Sequence, residues 1–276
     1  MHSFLTPAVV TALAVSSLIA ILFLPRILGT IARAREYARK MQESGYLPPP
    51  PTDRGQRRLL RLARLITFIQ VGRLEIRGKE KLENIPGAFM VTPNHPHYAD
   101  LAVMPLVLQR KARYMAAKGV MTAFGGWGGV LAGPMGGFAA DLTPGKGGAA
   151  RETAVRIMTD GSLPLVLFPE GWTYLDGSGG PYKKGAVRIV KAAASETGKE
   201  TYLLPVHLEY GKYPGKWITK LNPRLEYLLM LLLFWNYRRG CTITIGKPIA
   251  ASELPKDDAE ATEMLRQRIL SLKPKR

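Results

Sequence analysis

The sequence predicts an α/β fold, with a largely parallel or mixed central sheet flanked by helices. Three observations carry this prediction. Short apolar runs of strand length alternate with helix-length segments from Leu74 onward, as in βα units. A chain of 276 residues can bury one substantial core. An uncharged apolar run and an arginine-rich helical pattern stand ahead of this region, so we expect an N-terminal membrane helix and an amphipathic helical segment to precede the domain.

The predicted strands are short runs rich in apolar and β-branched residues. They cover residues 74–78, 88–92, 112–117, 163–168, 202–209 and 241–246. The predicted helices fill the intervals between them, at residues 99–110, 119–131, 147–160, 184–196 and 256–272. This alternation predicts one domain over residues 74–276.

The N-terminal segment predicts a membrane anchor with a basic helix, over residues 1–44. Residues 3–25 carry no charge. As a helix, residues 4–25 would be roughly 33 Å long, enough for the ~30 Å hydrocarbon layer. Basic residues follow at once, beginning with Arg26, Arg33 and Arg35. By the positive-inside rule we expect attachment to the inner (cytoplasmic) membrane with the main domain facing the cytoplasm, either through a span or through a hairpin in one leaflet.

Residues 45–73 predict a proline-rich connector and an interfacial helix. Four consecutive prolines, 48–51, end any helix and stiffen the chain. After them, helical spacing places Leu59, Leu62, Ile66 and Ile69 on one face, with arginines mostly off it. Such a stripe is typical of a helix in the lipid headgroup layer, and equally of an ordinary helix packed on a domain.

The charge balance restricts the partners. Lys and Arg number 39 against 21 Asp and Glu, giving a formal net charge of +18. This charge favours nucleic acid, an anionic membrane or a phosphorylated substrate. No recognised nucleic-acid module is present, so we expect a membrane lipid and no nucleic acid as partner. A single cysteine, Cys241, excludes an internal disulfide framework and a cysteine-rich metal site.

Two segments depart from the alternating pattern. Residues 119–138 are rich in glycine, which would suit either a channel for an acyl chain or a tightly packed helix pair. Residues 226–239 have an apolar centre too short to span a bilayer, and fit either the lipid interface or a buried core helix.

A candidate catalytic pair follows the second predicted strand. That strand ends at Pro93, and His95 and Asp100 follow in the loop and the first turn of the next helix. The ends of strands in open α/β sheets are where ligands bind. A carboxylate bonded to one imidazole nitrogen fixes the tautomer and leaves the other nitrogen available as a base. Because no G-x-S-x-G nucleophile motif is present, we expect this pair to activate a hydroxyl of the substrate.

Other interpretations of this loop stay open. His95, His97 and Asp100, with His207 from elsewhere, could form the metal site of a hydrolase. The histidine could also only cap the helix or bond nearby backbone. A chain that binds lipid without turnover is the remaining alternative.

A second candidate lies about 75 residues downstream. The strand at 163–168 also ends at a proline, followed by Glu170 and Gly171. If the two strands are neighbours, Glu170 converges with the His95 loop and could bind acceptor hydroxyls, while Gly171 would permit close approach of the backbone.

Together these segments resemble the glycerolipid acyltransferases typified by lysophosphatidic acid acyltransferase. The family's Asn-His-x4-Asp block stands here as Asn94, His95 and Asp100, and its Phe-Pro-Glu-Gly block as residues 168–171. The resemblance extends over roughly residues 74–249 and includes the strand with Pro205, the segment 182–190 and the closing strand 243–249.

The resemblance implies acyl transfer from acyl-CoA or an acyl-carrier protein to a lipid hydroxyl in phospholipid biosynthesis, with no metal or redox cofactor. His95 would be the catalytic base and Asp100 would orient its ring. The expected substrate-binding residues are Asn94, Pro169, Glu170, Gly171, Lys183 and Lys184.

Two departures from the family pattern affect the acceptor. Asp141 and Thr173 stand where the family usually has arginines that hold the acceptor phosphate. Either other cations substitute, among them Lys146, Arg151, Lys183 and Lys184, or the acceptor is a phosphate-free lipid such as a glycolipid or lyso-aminolipid.

Overall fold

The computed structural model describes residues 7–40, 46–47, 49–141, 143, 145–213 and 238–274. The α-helices of this part are α1 (Pro7–Lys40), α2 (Asp53–Gln70), α3 (Asp100–Leu108), α4 (Lys118–Met121), α5 (Ala123–Ala132), α6 (Gly148–Asp160), α7 (Gly185–Thr197) and α8 (Asp258–Leu270). The strands are β1 (Leu74–Arg77), β2 (Phe89–Pro93), β3 (Arg113–Ala117), β4 (Gly137–Ala140), β5 (Leu165–Val166), β6 (Tyr202–Tyr210), β7 (Cys241–Ile245) and β8 (Ile249–Ala250). Short 3-10 turns cover Lys79–Leu82, Gly133–Met135 and Ala251–Glu253.

These strands form one mixed sheet in the order β1-β7-β6-β2-β5-β3-β4, with β8 paired to β6. The pairs on both sides of β2 are parallel, and β6 runs antiparallel to β7 and β8. The predicted α/β fold with a mixed sheet flanked by helices is therefore confirmed. Because β2 lies between β5 and β6, the ends of these three parallel strands meet at one edge of the sheet.

Two strands were missed by the sequence patterns. β4 begins at the end of the glycine-rich segment, where no strand-like alternation is visible, and it pairs in parallel with β3 from Tyr114 to Ala117. β8 is two residues long and follows a lysine–proline pair.

The core lies on both faces of the sheet. On one face, Val103 and Val107 of α3 pack against β2, β6 and β7. On the other face, α6, α7 and α8 cover the sheet with aliphatic residues such as Ile157, Ile189 and Leu265. Successive residues of a strand point to opposite faces, so each strand serves both layers.

Helix α2 packs on the domain through a narrow stripe of small and polar residues. Gln56, Ala63 and Thr67 are buried, while Leu62, Leu65 and Phe68 are 46%, 54% and 62% exposed. The predicted apolar face is therefore only partly correct, because Leu62 lies on the exposed side rather than with Leu59. Large apolar side chains next to arginines consequently remain on the surface.

The glycine-rich segment receives the C-terminal part of α1. The Tyr37 ring lies where a Cβ on Gly129 or Gly133 would be, at 2.1 and 3.1 Å, and its hydroxyl donates to the Gly137 carbonyl at 3.2 Å. The glycines of α5 therefore allow close helix packing, as one of the two interpretations of this segment predicts.

The predicted membrane segment, residues 3–25, begins in residues 1–6, which lie outside the described part, and continues into α1. Among the residues that could be assessed in the described part, no helix has both the length and the apolar character needed to cross a membrane. Most of the segment 226–239 also lies outside the described residues. The division into residues 1–44, 45–73 and 74–276 stays a prediction.

Candidate active site

The His95–Asp100 pair lies at the edge of the sheet where β2 ends. β2 ends at Pro93 and α3 begins at Asp100, so the six intervening residues form a tight strand-to-helix corner. Across it, His95 Nδ1 lies 2.8 Å from Asp100 Oδ2. The Asp100 side chain is fully buried and that of His95 is 13% exposed. A buried carboxylate therefore fixes one nitrogen of a ring that still reaches the surface.

Three donors surround the Asp100 carboxylate. Oδ2 accepts the His97 backbone amide at 2.9 Å as well as the His95 ring N–H, and Oδ1 accepts the Tyr210 hydroxyl at 2.6 Å. Burial and the neighbouring Asp100 raise the pKa of Tyr210 well above its ordinary value, so this hydroxyl stays protonated and donates. These bonds compensate for the loss of water around the buried charge and fix its orientation.

Replacing Tyr210 with phenylalanine is expected to lower kcat about tenfold and to destabilise the fold by about 1–3 kcal/mol. The reason is that Oδ1 of Asp100 would remain buried without a donor. Steady-state kinetics and thermal unfolding of the same preparation measure both effects. Replacing the nearby Tyr213 with phenylalanine is the matched control, since its hydroxyl bonds the Tyr210 amide rather than the carboxylate, at 3.2 Å. Equal loss of kcat in both variants would contradict a specific role for Tyr210.

The second ring nitrogen of His95 has a hydroxyl partner. Thr173 Oγ1 lies 3.0 Å from His95 Nε2. Because Nδ1 donates to Asp100, Nε2 is the acceptor and Thr173 the donor. The imidazole also stacks on Phe168, with ring centroids 4.2 Å apart and planes 24° from parallel. Bonds at both nitrogens and a stacked ring hold the imidazole in one orientation.

The carboxylate of Glu170 connects the loop that follows β5 to the His95 loop that follows β2. Its carboxylate accepts the His95 backbone amide at 3.1 Å and the Gly180 amide at 3.2 Å. The residue is 3% exposed, and burial raises the pKa of its carboxyl. The predicted convergence of Glu170 with the His95 loop is thus present. The carboxylate bonds protein backbone, so within the described residues its evident task is to position the loop.

Gly171 and Lys183 lie against each other beside this loop. Gly171 has φ +65°, a left-handed conformation that glycine adopts without strain, and Lys183 Nζ lies 2.8 Å from the place a Cβ would take. The Lys183 amide donates to the Pro169 carbonyl at 2.8 Å, which ties the two segments together. Pro169, Gly171 and Lys183 therefore share one neighbourhood, and their role in substrate binding stays a prediction.

Asn94 and Lys184 lie differently. The Asn94 side chain accepts the Leu208 amide at 2.6 Å and donates to the Leu208 carbonyl at 3.1 Å, so it ties the loop to β6. Lys184 precedes α7 and lines a separate surface depression with Tyr182 and Arg266. A substrate contact for Asn94 or Lys184 stays a prediction that this geometry does not favour.

The other two histidines in the described part, His97 and His207, do not form a common site with His95. His97 accepts the Ala99 amide on Nδ1 at 3.0 Å and stacks on Tyr210, and burial lowers its pKa. His207 lies three residues before Tyr210 on β6, so the two side chains point to opposite faces of the sheet. Burial lowers the pKa of His207 to about 4. Among the described residues, no three His, Cys, Asp or Glu side chains are arranged to hold a metal ion.

An apolar cavity of about 310 Å³ opens beside the imidazole. His95, Phe168 and Thr173 form its reactive end, and Met115 and Val120 are among the apolar residues that line it. Small ligand sites in proteins begin at about this volume. Val120 belongs to the glycine-rich segment, and the interpretation of that segment as an acyl channel stays a prediction.

A second cavity of about 290 Å³ adjoins the first across Phe168 and Gly171. Arg151 and Lys183 line it, and neither side chain forms an ion pair within the described residues. Asp141 lies at its rim, where Lys118 approaches the carboxylate to 3.4 Å and the Thr143 amide donates to it at 3.0 Å. These contacts lower the pKa of Asp141, with the Thr143 bond as the largest cause.

Sequence reasoning missed three parts of the site. Tyr210 lies 110 residues from Asp100, and no local motif marks it. Phe168 was identified only as part of a motif, although its ring supports the imidazole. Thr173 was noted as a departure from the family pattern, and its position after Glu170-Gly171 was the available signal.

Comparison with known proteins gives a family match for the part of the chain that carries these residues. Residues 73–209 match the model of the family described as Acyltransferase. The fold is similar to the crystal structure of the 1-acyl-sn-glycerophosphate (LPA) acyltransferase PlsC from Thermotoga maritima, with a TM-score of 0.52 and 18% sequence identity over 79% of this chain and 78% of that one. No curated protein sequence matches this chain.

The matched segment contains both candidate motifs and ends one residue before Tyr210. It therefore includes the His95–Asp100 pair and the Glu170 loop, which the structure brings together at the end of β2. The prediction of an acyltransferase is confirmed, and residues 73–209 belong to the acyltransferase family.

Proposed function

We propose that the protein transfers a fatty acyl group from acyl-CoA or an acyl-carrier protein to the hydroxyl of a lysophospholipid at a membrane surface. One observation carries this proposal: His95, paired with Asp100, lines an apolar cavity, and a second cavity that contains Arg151 and Lys183 adjoins it across Phe168 and Gly171. The first cavity suits an acyl chain and the second suits a phosphate. The acyl chain of the donor and the phosphate of the acceptor would then lie in two adjoining cavities, with His95 lining the first.

His95 acts as the base in this reaction. The attacking hydroxyl gives its proton to Nε2, while Asp100 stabilises the imidazolium through Nδ1. When the tetrahedral intermediate collapses, the imidazolium returns the proton to the leaving thiolate. The thioester supplies the acyl group directly, so the reaction needs no metal or redox cofactor, and this stays a prediction for the present chain.

Lys183 and Arg151 are our candidates to hold the acceptor phosphate. They take over the charge that the family's usual arginines would provide at Asp141 and Thr173. Lys183 has a short route to the reacting centre, because its ammonium lies against Gly171. A lysine and an arginine together balance the charge of a phosphate ester at neutral pH.

The surface supports work at a membrane. Leu62, Leu65 and Phe68 of α2 are exposed beside arginines, and Trp172 is 65% exposed at the mouth of the apolar cavity. Apolar side chains flanked by basic ones favour the headgroup layer of an anionic bilayer. Attachment to the inner membrane, with the catalytic domain facing the cytoplasm, remains part of this proposal.

Transfer to lysophosphatidic acid in mixed micelles, with palmitoyl-CoA and palmitoyl-carrier protein compared as donors, tests the proposal. We expect turnover with at least one donor. The variant Lys183→Ala should raise KM for lysophosphatidic acid about tenfold or more, because a charge-assisted contact to the phosphate is lost. Lys184→Ala is the matched control, since Lys184 lies outside both cavities and should leave KM unchanged.

A panel of phosphate-free acceptors separates the alternatives. A monoacylglycerol, a lyso-glycolipid and a lyso-aminolipid should be poor acceptors for the wild type, and Lys183→Ala should not weaken them further. Faster transfer to one of these would overturn the phosphate assignment and support the phosphate-free alternative. Absence of transfer to every acceptor would overturn the proposed function itself.

A further inference from the structure

The nitrogen of His95 that faces the substrate is already bonded to a side chain of the protein. His95 Nε2 lies 3.0 Å from Thr173 Oγ1. Because Nδ1 donates to Asp100, the Thr173 hydroxyl is the donor and occupies the lone pair of Nε2. Within the described residues, His95 is the only hydrogen-bond partner of this hydroxyl. The acceptor hydroxyl must therefore displace Thr173 before it can give its proton to Nε2.

This contact differs from the usual bonding of threonine side chains. A threonine hydroxyl commonly bonds a nearby backbone carbonyl. Thr159 bonds the Arg156 carbonyl in this way, at 3.0 Å, and Thr197 bonds the Ala193 carbonyl at 2.8 Å. Thr173 instead bonds a ring 78 residues earlier in the chain. Its hydroxyl therefore serves the base rather than its own loop.

Water can reach this base. The His95 side chain is 13% exposed, and the cavity that it lines has the exposed Trp172 at its mouth. A base that can take a proton from a lipid hydroxyl can also take one from water. A thioester held beside His95 would then be hydrolysed while the acceptor position is empty, and active sites that handle such substrates have to exclude water.

From this geometry we infer that Thr173 determines the choice between a lipid hydroxyl and water, because its hydroxyl occupies Nε2 until the acceptor displaces it. The inference rests on the proposed function, since it requires an acyl thioester and a lysolipid at His95. A hydroxyl that belongs to the chain takes this position without losing translational freedom, whereas a water molecule must lose it. The cavity also offers water few other polar partners, since most of its lining side chains are apolar.

A lysolipid can displace Thr173 where water cannot. In the proposed function its phosphate binds Arg151 and Lys183, and this binding energy places the acceptor hydroxyl at Nε2. The exchange at Nε2 itself costs little, because one hydroxyl donor replaces another. Thr173 is partly exposed, and rotation about its Cα–Cβ bond moves Oγ1 to another staggered position.

The two competing reactions at His95 differ only in the attacking oxygen. In transfer, the lysolipid oxygen forms a bond to the thioester carbonyl carbon and its proton passes to Nε2. The carbon–sulfur bond breaks, and the thiolate takes the proton from Nε2 to leave as the free thiol. In hydrolysis, a water oxygen forms the same bond and one of its protons follows the same route. The other water proton is released when the fatty acid product ionises.

Measurement of both reactions in the full chain tests the inference. Protein in detergent micelles receives palmitoyl-CoA, or palmitoyl-carrier protein if that is the donor used. Thiol release without lysolipid measures hydrolysis, and transfer is measured with saturating lysophosphatidic acid. In the wild type, hydrolysis should be about 100-fold or more slower than transfer. In Thr173→Ala, which leaves Nε2 open to water, the ratio of hydrolysis to transfer should rise about tenfold or more.

Two further variants are the controls. Thr173→Ser keeps the hydroxyl and should keep both rates. Thr159→Ala makes the same change on α6, where the hydroxyl bonds backbone and lines neither cavity, and it should also keep both rates. Thermal unfolding verifies that all three variants fold. The comparison of hydrolysis with transfer in the wild type depends on none of them.

Three results would overturn the inference and leave the proposed function standing, provided that the wild type transfers acyl groups. The first is an unchanged ratio in Thr173→Ala. The second is the loss of both reactions in that variant, which would mean that Thr173 only positions the imidazole. The third is wild-type hydrolysis as fast as transfer. If instead the wild type transfers to no lysolipid with either donor, the proposed function fails and the inference fails with it.

Discussion

Replacing His95 with alanine is expected to lower kcat/KM for acyl transfer by about 10³-fold or more. The variant loses the base that lines the apolar cavity, and neither Asp100 nor Thr173 can take its place without the ring between them. The backbone bond from residue 95 to Glu170 is retained, so the loop should keep its position. Steady-state transfer assays and thermal unfolding measure the two effects separately.

His207→Asn is the matched control for this variant. It also removes a buried imidazole, but on the opposite face of β6, where the ring has no contact with the pair. We expect it to retain transfer at temperatures below its unfolding transition. Turnover in His95→Ala within tenfold of the wild type would refute the assignment of the base.

Replacing Asp100 with asparagine is expected to lower kcat by about 10³-fold with a smaller effect on KM. The asparagine oxygen can still accept from His95 and His97, and its amide can donate to Tyr210 if that hydroxyl rotates. The geometry is therefore largely retained, and what disappears is the charge that stabilises the imidazolium. The expected fall in kcat therefore comes from slower proton transfer.

Measurement of kcat and KM separately tests this distinction. A large rise in KM with unchanged kcat would mean that Asp100 shapes the binding site rather than the base. Asp258→Asn serves as control, since Asp258 on α8 forms an ion pair with Arg188, at 2.7 Å, and lines neither of the two cavities. That variant should retain transfer.

Much of the fold could be predicted because its signals are local. Pro93 follows an apolar run, and β2 ends there. Gly161 and Gly198 follow α6 and α7 in left-handed conformation, as helix-ending glycines do. β4 was not predicted because its residues have no strand pattern of their own, and their conformation depends on pairing with β3.

The residues of the site also fall into two groups: those whose contacts follow from local spacing and those whose contacts depend on strand pairing. His95 and Asp100 are five residues apart, and one strand-to-helix corner brings them together, so spacing alone predicted the contact. Glu170 was placed beside this pair on the condition that the two preceding strands are neighbours, and the pairing of β2 with β5 meets that condition. Tyr210 could not, because its contact depends on the register of β6 against β2, which no local pattern specifies.

The roles within the site were less predictable than its members. Glu170 was expected to bind acceptor hydroxyls, yet its two oxygens accept backbone amides of His95 and Gly180. Spacing in a sequence indicates which residues meet. Whether a carboxylate faces a ligand or the backbone depends on loop geometry that forms only in the assembled fold.

The position of β6 has a consequence for the protein during its synthesis. Asp100 and Asn94 obtain partners from Tyr210 and Leu208, more than 100 residues later in the chain. While the ribosome is still translating the helices between them, the Asp100 carboxylate has no Tyr210 to donate to it and the His95 corner lacks its tie to β6. The nascent chain therefore lacks the complete site, which assembles only once residue 210 has left the exit tunnel.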